Sequence, residues 1–261
     1  MKRYLKDSFL ANGHISAEKK HYDCSVAVHS HDFFEFEYII SGSGTYSIDG
    51  IDYRINDKTL YFMTPVNFHS VAMNDVVFYN VMFSADMCDI NILSRLFSTT
   101  PTVISPDNAT HMFICALLSE LEHNCDNIEY SSLLLETFIS KIGSLASVNN
   151  SKGVSNDIKS AELYILENFK RKLTLSDAAK RASLSASHFS RRFARETGKN
   201  FKEYLNKVRF EYAKKLLVFS KMTVNQICYE CGFDDYPNFV RRFKQNVGMT
   251  PAEFRKMGSV I

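Results

Sequence analysis

The stretches FSRRFARETG (189–198) and FVRRFKQNVG (239–248) repeat one pattern fifty residues apart. Each contains Phe-x-Arg-Arg-Phe, and a glycine follows the second phenylalanine five positions later. A repeat at such a period predicts two copies of one structural unit. Because aromatic residues four positions apart lie on one face of a helix, the pattern predicts a helix that buries its phenylalanines and exposes its arginines.

The residues before each copy predict a short helix followed by a turn. In the first copy, TLSDAAKRASLSASHF (174–189), small alanines would let two helices pack closely, and Ser185 can cap the second helix. In the second copy, TVNQICYECGFDDYPNF (223–239), Gly232 occupies the turn where the first copy has Ser183. Both stretches therefore predict a helix-turn-helix motif.

The stretch FKEYLNKVRFEYAKKLLVFS (201–220) has one apolar stripe and predicts a long helix that joins the two motifs. In the second copy, Asp234 or Asp235 is the predicted helix cap.

Cys228 and Cys231 take the places of small buried alanines in the first copy. A packing role is therefore predicted for this cysteine pair, in preference to a zinc or redox site.

The net charge of +2 conceals an asymmetry along the chain. From residue 157 to the end there are 21 Lys and Arg against 11 Asp and Glu, a net charge of +10. The remainder has 10 basic and 18 acidic residues, a net charge of −8. A chance division of solvated charge, or a helical bundle with solvated arginines, is the alternative to a half that binds a polyanion. The repeated motif combined with the basic charge favours a nucleic acid partner.

The arginine pairs are the predicted DNA contacts. Arg191 and Arg241 lie two positions from both phenylalanines of their copy, so they would face away from the buried side and reach guanine edges or phosphates. Arg192 and Arg242 lie about 100° further around the helix, where a phosphate is the expected partner. Two such helices could enter successive major grooves about 34 Å apart.

Short β-strands are predicted for residues 1 to about 105. The predicted strands lie within GTYSIDGIDYRI (44–55), LYFM (60–63) and VVFYNVMF (76–83). Asp49-Gly50 is a hairpin signal, and Asn74-Asp75 is the predicted turn before the last strand. Many short strands separated by turns predict a small barrel or sandwich.

Two amphipathic helices are predicted from about 107 to 147. Their apolar stripes are Leu117/Leu121 and Leu134/Phe138/Ile142. These stripes could pack on the strands of the same chain or against a second subunit. The hypothesis of a homodimer formed through this region rests on the second possibility.

The polar stretch SVNNSKGVSN (147–156) predicts a linker, and hence domains at 1–150 and 157–261. The chain has neither a signal-peptide pattern nor an apolar run of bilayer length. Its six cysteines form no dense disulfide framework. These features predict a cytoplasmic protein without a membrane partner.

The C-terminal hundred or so residues resemble the DNA-binding domain of the AraC/XylS family of bacterial transcription regulators. The blocks that carry the resemblance are RRFARETGKNFKEYL (191–205), RFEYAKKLL (209–217), ICYECGF (227–233) and NFVRRFKQNVGMTPAEFR (238–255). The resemblance implies that DNA is read at the matching positions Ser187, Ser190 and Arg191 in the first copy, and Tyr236, Asn238 and Arg241 in the second. The first copy departs from the family at Ser183, where glycine is usual.

The N-terminal half resembles, more distantly, the cupin barrels that often bind the effector in this family. HSHDFFEFEYIISG (29–42) is similar to the first cupin motif, and TPVNFHSV (64–71) keeps part of the second. The matching residues are His29, His31, Glu35, Pro65 and His69. Asp23 and Asn67 stand where these motifs have glycines.

The resemblance implies a small-molecule effector, with His31, Glu35, Tyr46, Tyr53 and His69 as the predicted ligand contacts. Aromatic faces with polar tips suit a sugar, although an aromatic acid or a fatty acid also fits. Alternatively, the histidines and Glu35 would hold a metal ion. Because the second motif is incomplete, neither a metal nor another cofactor is predicted.

The sequence therefore predicts an α+β multidomain protein. An N-terminal cupin-like β-barrel with amphipathic helices would precede an all-α double helix-turn-helix domain. The predicted function is that of a sequence-specific DNA-binding transcription regulator, an effector-responsive activator and not an enzyme, with promoter DNA, RNA polymerase and a second copy as partners. The alternatives are a metal-dependent cupin enzyme fused to a DNA-binding domain, and a regulator whose barrel binds no small molecule.

Overall fold

A computed structural model describes residues 2–4, 10, 14–89, 92–93, 106–145 and 155–258. The chain folds as two compact units, Lys2–Lys159 and Ser160–Ile261. Most of the predicted linker lies outside the described residues, which resume at Ser155.

The first unit is built on one seven-stranded sheet. Its strands are β1 (Lys2–Tyr4), β2 (Ile15–Tyr22), β3 (Ser25–His31), β4 (Phe34–Ile48), β5 (Ile51–Ile55), β6 (Leu60–Met63) and β7 (His69–Phe83). The long strands β4 and β7 pair antiparallel along most of their length. The first half of β4 also pairs with β6 and its second half with β5, while β7 pairs first with β3 and then with β2. The two long strands therefore run through both halves of the sheet.

The predicted hairpin and the predicted strand at 60–63 are confirmed. Ile48 pairs with Ile51 across the turn, where Asp49 and Gly50 have φ of 53° and 84°. Two consecutive left-handed residues give the turn a twist that matches the strands on either side.

The predicted turn at Asn74-Asp75 is wrong, because β7 runs without a break from His69 to Phe83. Asp75 has a φ of 52°, and the pairing of β4 with β7 shifts register between Ile39 and Ser43. Opposite Asp75, Gly42 has a φ of 114°, and a Cβ there would overlap the Asp75 carbonyl oxygen. The turn-forming residues are absorbed as a bulge because β4 supplies a backbone partner on both sides of them.

Helices α1 (Asn108–His123) and α2 (Ile128–Leu145) complete the first unit. The Phe138 ring meets the Phe36 ring edge-on at 5.2 Å, and the Tyr38 hydroxyl hydrogen-bonds His111 Nδ1 at 2.9 Å. The fully buried residues of these helices include Leu121, Phe138 and Ile142, with Leu134 also buried. The apolar stripes therefore pack within the chain, and only Leu117 among them is half-buried.

The second unit consists of helices and their connecting turns, and no strand occurs among its described residues. Its helices are α3 (Asn156–Asn168), α4 (Leu175–Arg181), α5 (Ala186–Thr197), α6 (Phe201–Phe219), α7 (Val224–Glu230), α8 (Tyr236–Val247) and α9 (Pro251–Gly258). The pairs α4–α5 and α7–α8 are the two predicted helix-turn-helix motifs, and α6 is the predicted connecting helix. No described helix of either unit is long and apolar enough to cross a bilayer.

Local signals set the ends of these helices. The side chains of Ser185 and Asp235 accept hydrogen bonds from the third residues of α5 and α8, so Asp235 is the cap of the second motif. The repeated glycines, Gly198 and Gly248, end the same helices with φ of 71° and 87°. Glycine adopts this left-handed conformation without steric cost, which explains its repetition.

The helix α6 holds the second motif in place. Its Phe210 ring lies 6.2 Å from the Phe239 ring and 5.9 Å from the Phe243 ring. Arg209 is buried and donates to the carbonyl oxygens of Phe169 at 2.7 Å and Arg171 at 2.8 Å. These bonds give the buried guanidinium backbone partners and fix the chain that follows α3.

Candidate DNA interface and effector cavity

The helices α5 and α8, here called the recognition helices, each present arginine opposite a buried phenylalanine pair. Phe189, Phe193, Phe239 and Phe243 are all fully buried, whereas Arg191 and Arg241 are exposed. Arg192 and Arg242 are half-buried on the flank of their helices. The amphipathic arrangement expected from the repeated pattern is therefore present in both helices.

In α8, two of the candidate DNA contacts, Asn238 and Arg241, are hydrogen-bonded to each other. Tyr236 is exposed, and Asn238 is half-buried. Arg241 Nη2 donates to Asn238 Oδ1 at 2.9 Å, and the backbone N–H of Asn238 donates to Asp235 Oδ1 at 3.0 Å. The arginine is thereby held by the side chain of a residue whose backbone N–H is bonded to the helix cap.

In α5, the corresponding side chains are arranged differently. Ser187 is exposed and Ser190 is half-buried. Arg192 Nε lies 3.2 Å from Glu196 Oε1, and Arg195 Nη2 lies 3.3 Å from the same oxygen. An acidic group thus offsets part of the positive charge of this helix.

Two exposed polar residues of α5 were not among the predicted contacts. His188 stands fifty positions before Asn238, and Arg195 lies one turn after Arg191. Both side chains are exposed. The fifty-residue offset, applied position by position to the two helices, is the signal that identifies His188.

The turns of the two motifs have the same geometry despite the different residues. Ser183 has a φ of 54° and Gly232 a φ of 80°, both left-handed. At Gly232 a Cβ would lie 2.7 Å from the Lys170 carbonyl oxygen. Ser183 is exposed, so the first motif accommodates a side chain where the second does not.

In the first unit, a cavity of about 180 Å³ opens between strands β2, β3, β4 and β7. Its polar lining residues are Lys20, Tyr22, His29, His31, Glu35, Glu37 and Asn80, and Val26, Phe33, Val71, Met73, Phe78 and Met82 supply apolar surface. This volume is below the range of about 300–1,000 Å³ that is usual for drug-sized ligands.

The cavity brings together only part of the predicted ligand set. His31 and Glu35 line it, whereas His69, Tyr46 and Tyr53 are not among the lining residues. His69 lies behind Glu35, with its Nε2 3.3 Å from Glu35 Oε2. Tyr46 is fully buried and stacks on Tyr61 with a ring separation of 4.4 Å.

Glu37 and Asn80 line the cavity but were not predicted. Glu37 follows Glu35 by two positions, and side chains two apart on a strand share a face. Asn80 pairs with Glu37 in the β4–β7 register, and its Nδ2 donates to Glu35 Oε1 at 2.7 Å and to Glu37 Oε1 at 3.3 Å. Strand alternation could have found Glu37, but only the register identifies Asn80.

His31 connects the backbone of Phe33 to the carboxylate of Glu35. Its Nδ1 lies 2.7 Å from the Phe33 carbonyl oxygen, and its Nε2 lies 3.0 Å from Glu35 Oε2. Both ring nitrogens of His31 therefore lie within hydrogen-bond distance of an oxygen atom. A buried hydrogen-bonded pair of His31 and Glu35 therefore lies at the wall of the cavity.

The cavity shifts the pKa values of its acids and bases in different directions. Burial raises the pKa of Glu35, but the charge of His31 and the hydrogen bonds from His31 and His69 outweigh it and hold this pKa well below its usual value. Burial and the neighbouring charge of Glu35 raise the pKa of Glu37 to about 8. Burial, followed by the charge of His69, lowers the pKa of His29 to about 4. Glu35 is thus ionised and Glu37 mainly protonated near neutral pH.

The same network contains the donor atoms that a metal ion would need. Ligand atoms of His31, Glu35 and His69 all lie within 4.8 Å of one another. Imidazole nitrogens with a carboxylate oxygen suit a transition metal. The hydrogen bonds among these three residues are themselves sufficient reason for the atoms to converge.

Comparison with known proteins assigns both units. Residues 13–139 match the family model described as an AraC-like ligand binding domain, and residues 178–257 match a helix-turn-helix domain model. The chain belongs to the AraC family. The predicted family, the two-part α+β fold class and the predicted DNA-binding regulator with a ligand-binding domain are thereby confirmed.

Individual proteins are similar to most of the chain or to a part of it. The HTH-type transcriptional activator RhaR of Escherichia coli K12 is 24% identical over 98% of this chain and 97% of its own length. Among solved structures, the C-terminal domain of AraT from Geobacillus stearothermophilus is 30% identical over 40% of this chain and 86% of its own, with a TM-score of 0.38. ToxT from Vibrio cholerae is 14% identical over 94% of this chain and 98% of its own, with a TM-score of 0.40.

Proposed function

We propose that this AraC-family protein is an effector-responsive activator that binds promoter DNA through α5 and α8 and a small molecule in the cavity of the first unit. The observation that carries the proposal is the pair of recognition helices, each with exposed arginine opposite two buried phenylalanines. RhaR is named as a transcriptional activator, and we propose that this chain also activates transcription. The protein would act in the cytoplasm, on the promoter and with RNA polymerase.

The arginines of α8 give the first test of this function. Arg241 lies on the face of α8 opposite its buried phenylalanines, so Arg241→Ala should change the preferred base at one position. The free-energy discrimination between the right and the wrong base should fall by about 1–3 kcal/mol. Arg242 lies on the flank, so Arg242→Ala should weaken binding to all sequences alike. The slope of log K against log salt should then fall by about 0.9, the value for one phosphate contact. Site selection from random DNA and titrations at several salt concentrations measure the two effects.

Control variants make this result specific. Lys221→Ala removes an exposed cation outside both recognition helices and should leave the selected sequence unchanged. Identical selected sequences for wild type and Arg241→Ala would contradict base reading by this arginine. Binding of the full protein that does not weaken with salt would contradict the proposed DNA contact as a whole.

The cavity supports a small polar effector, and a sugar is the class that we favour. Its carboxyl groups and the Asn80 oxygen, which is buried without a hydrogen-bond partner among the described residues, would accept hydrogen bonds from hydroxyl groups. The apolar side would contact the ring carbons. The volume of about 180 Å³ limits the effector to a compact molecule.

A thermal-shift screen of sugars and other metabolites tests the effector. A ligand at a hundred times its Kd stabilises the native state by about 2.7 kcal/mol. For a unit of this size that corresponds to a rise in Tm of roughly 5–10 °C. Met82→Trp should fill the cavity and abolish the shift without touching the polar network. An undiminished shift in a folded Met82→Trp variant would place the ligand elsewhere.

The homodimer is also part of the proposal, but through a different surface from the one predicted. The predicted stripes are buried in the chain, whereas Met112 and Leu133 are 72% and 58% exposed. Phe113 and Ile128, on the same two helices, are each 44% exposed. Large apolar side chains exposed on neighbouring helices are typical of a protein-binding surface. We propose that a second copy covers them.

Leu133→Asp should therefore shift the protein from dimer to monomer with little change in its unfolding temperature. Leu135→Asp is the contrasting variant, because Leu135 is fully buried and its replacement should unfold the first unit. Analytical ultracentrifugation at micromolar to tens of micromolar concentration measures the change. A wild-type protein that remains monomeric with and without effector would refute the dimer.

A further inference from the structure

The two recognition helices hold their outward-facing arginines differently. In α8, Arg241 Nη2 donates to Asn238 Oδ1 at 2.9 Å. In α5, the matching residues are Arg191 and His188, and Arg191 makes no hydrogen bond or ion pair with any other described residue. One arginine is therefore oriented before DNA arrives, and the other is not.

The orientation of Arg241 is secured by a chain of local contacts. Asp235 caps α8 and accepts from the backbone N–H of Asn238 at 3.0 Å, and Pro237 stiffens the first turn. Asn238 is half-buried, which restricts its rotamers. With Oδ1 engaged by Nη2, the remaining guanidinium donors stay available for the O6 and N7 acceptors of a guanine.

The acidic residues in or next to the two recognition helices lie at opposite ends of these helices. In α8, Asp234 and Asp235 precede the first turn, and no acidic residue occurs between Tyr236 and Val247. In α5, Glu196 lies within 3.3 Å of both Arg192 and Arg195 and offsets part of their charge. His188 does not take the place of Asn238, because it makes no side-chain hydrogen bond with Arg191 among the described residues.

We infer that Asn238 is a positioning residue that orients Arg241, so that α8 sets the sequence preference while α5 contributes mainly sequence-independent affinity. The inference rests on the proposed function, in which the arginines of both helices face DNA. Pre-organisation matters because immobilising a long side chain on binding opposes association by a factor of about two to ten. A misoriented guanidinium also forms fewer bidentate contacts and discriminates less between bases.

The experiment compares full-length variants by site selection from random DNA and by titration of matched and mismatched sites. Asn238→Ala should reduce discrimination at the Arg241 base pair by about two- to tenfold. Asn238→Asp keeps an acceptor for Arg241 but lacks the amide donors. If Asn238 orients Arg241, Asn238→Asp should therefore preserve the preference at that base pair. If Asn238 instead read the base through its own amide group, Asn238→Asp would lose that preference. His188→Asn should create the missing pair in α5 and increase discrimination in the first half-site.

The outcomes separate this inference from the proposed function. If Arg241→Ala changes the selected sequence but Asn238→Ala leaves discrimination at that base pair intact, the positioning role is refuted and the proposed function stands. If neither Arg241→Ala nor Arg191→Ala changes the selection, base reading by both helices is refuted. The inference would also be overturned if the DNA sites selected by the wild type were equally specific in the half contacted by α5 and in the half contacted by α8. Thermal unfolding of each variant verifies that the second unit is intact.

Discussion

Glu37→Gln is expected to stabilise the first unit by about 3–5 kcal/mol above pH 8, since each pKa unit corresponds to about 1.4 kcal/mol. Glu37 is buried, and its pKa is raised from 4.5 to about 8 by burial and by Glu35. The folded protein therefore binds this proton more tightly than the unfolded chain between these pH values. Stability falls as pH rises through that window, and glutamine removes the effect.

The histidines of the cavity act in the opposite direction. The pKa of His29 is lowered from 6.5 to about 4, and burial lowers that of His69. Stability from these groups is present above pH 6.5 and is lost as pH falls towards 4. In combination with Glu37, they should place the greatest stability of the wild-type unit near pH 6.5, and Glu37→Gln should flatten the decline above it.

Urea unfolding at a series of pH values, followed by the β-sheet circular dichroism signal, measures these effects. Asp52→Asn is the matched control, because Asp52 is exposed on β5 and its replacement should leave the profile unchanged. Parallel profiles for wild type and Glu37→Gln from pH 5 to 9 would show that Glu37 does not titrate abnormally.

Gly232→Ser should destabilise the second unit by about 2–4 kcal/mol. A Cβ at this position would lie 2.7 Å from the Lys170 carbonyl oxygen and 2.8 Å from that of Phe169. Backbone atoms cannot move aside as a flexible side chain can, so α7 and α8 would have to separate from the chain after α3. The φ of 80° adds conformational strain for any residue with a side chain.

The first motif supplies the matched substitution. Ser183→Gly relieves a left-handed serine with a φ of 54° and should stabilise the protein by up to about 1 kcal/mol. Thermal unfolding with DNA-binding titration measures both variants. Similar stability changes for Gly232→Ser and for an exposed control such as Asn225→Ser would contradict the steric argument.

Contacts close in sequence explain why the second unit could be predicted so fully. Helix periodicity, the cap at Ser185 and the glycines at Gly198 and Gly248 involve residues within one or two turns of each other. Each of these signals determines the backbone conformation of its own neighbourhood, so the sequence alone predicts two helix-turn-helix motifs from the repeat. The hairpin at Asp49-Gly50 was predictable for the same reason.

The sequence by itself thus determined the double motif, the basic half and the family of the chain. Only the tertiary structure decided that Asp75 is a bulge in a continuous strand, because the partner strand β4 supplies hydrogen bonds that outweigh the local turn preference. It also placed Asn80 beside Glu37, since that neighbourhood depends on the register between strands more than forty residues apart. The burial of the helical stripes was likewise decided by packing, because an amphipathic face indicates that a partner exists but not which surface provides it.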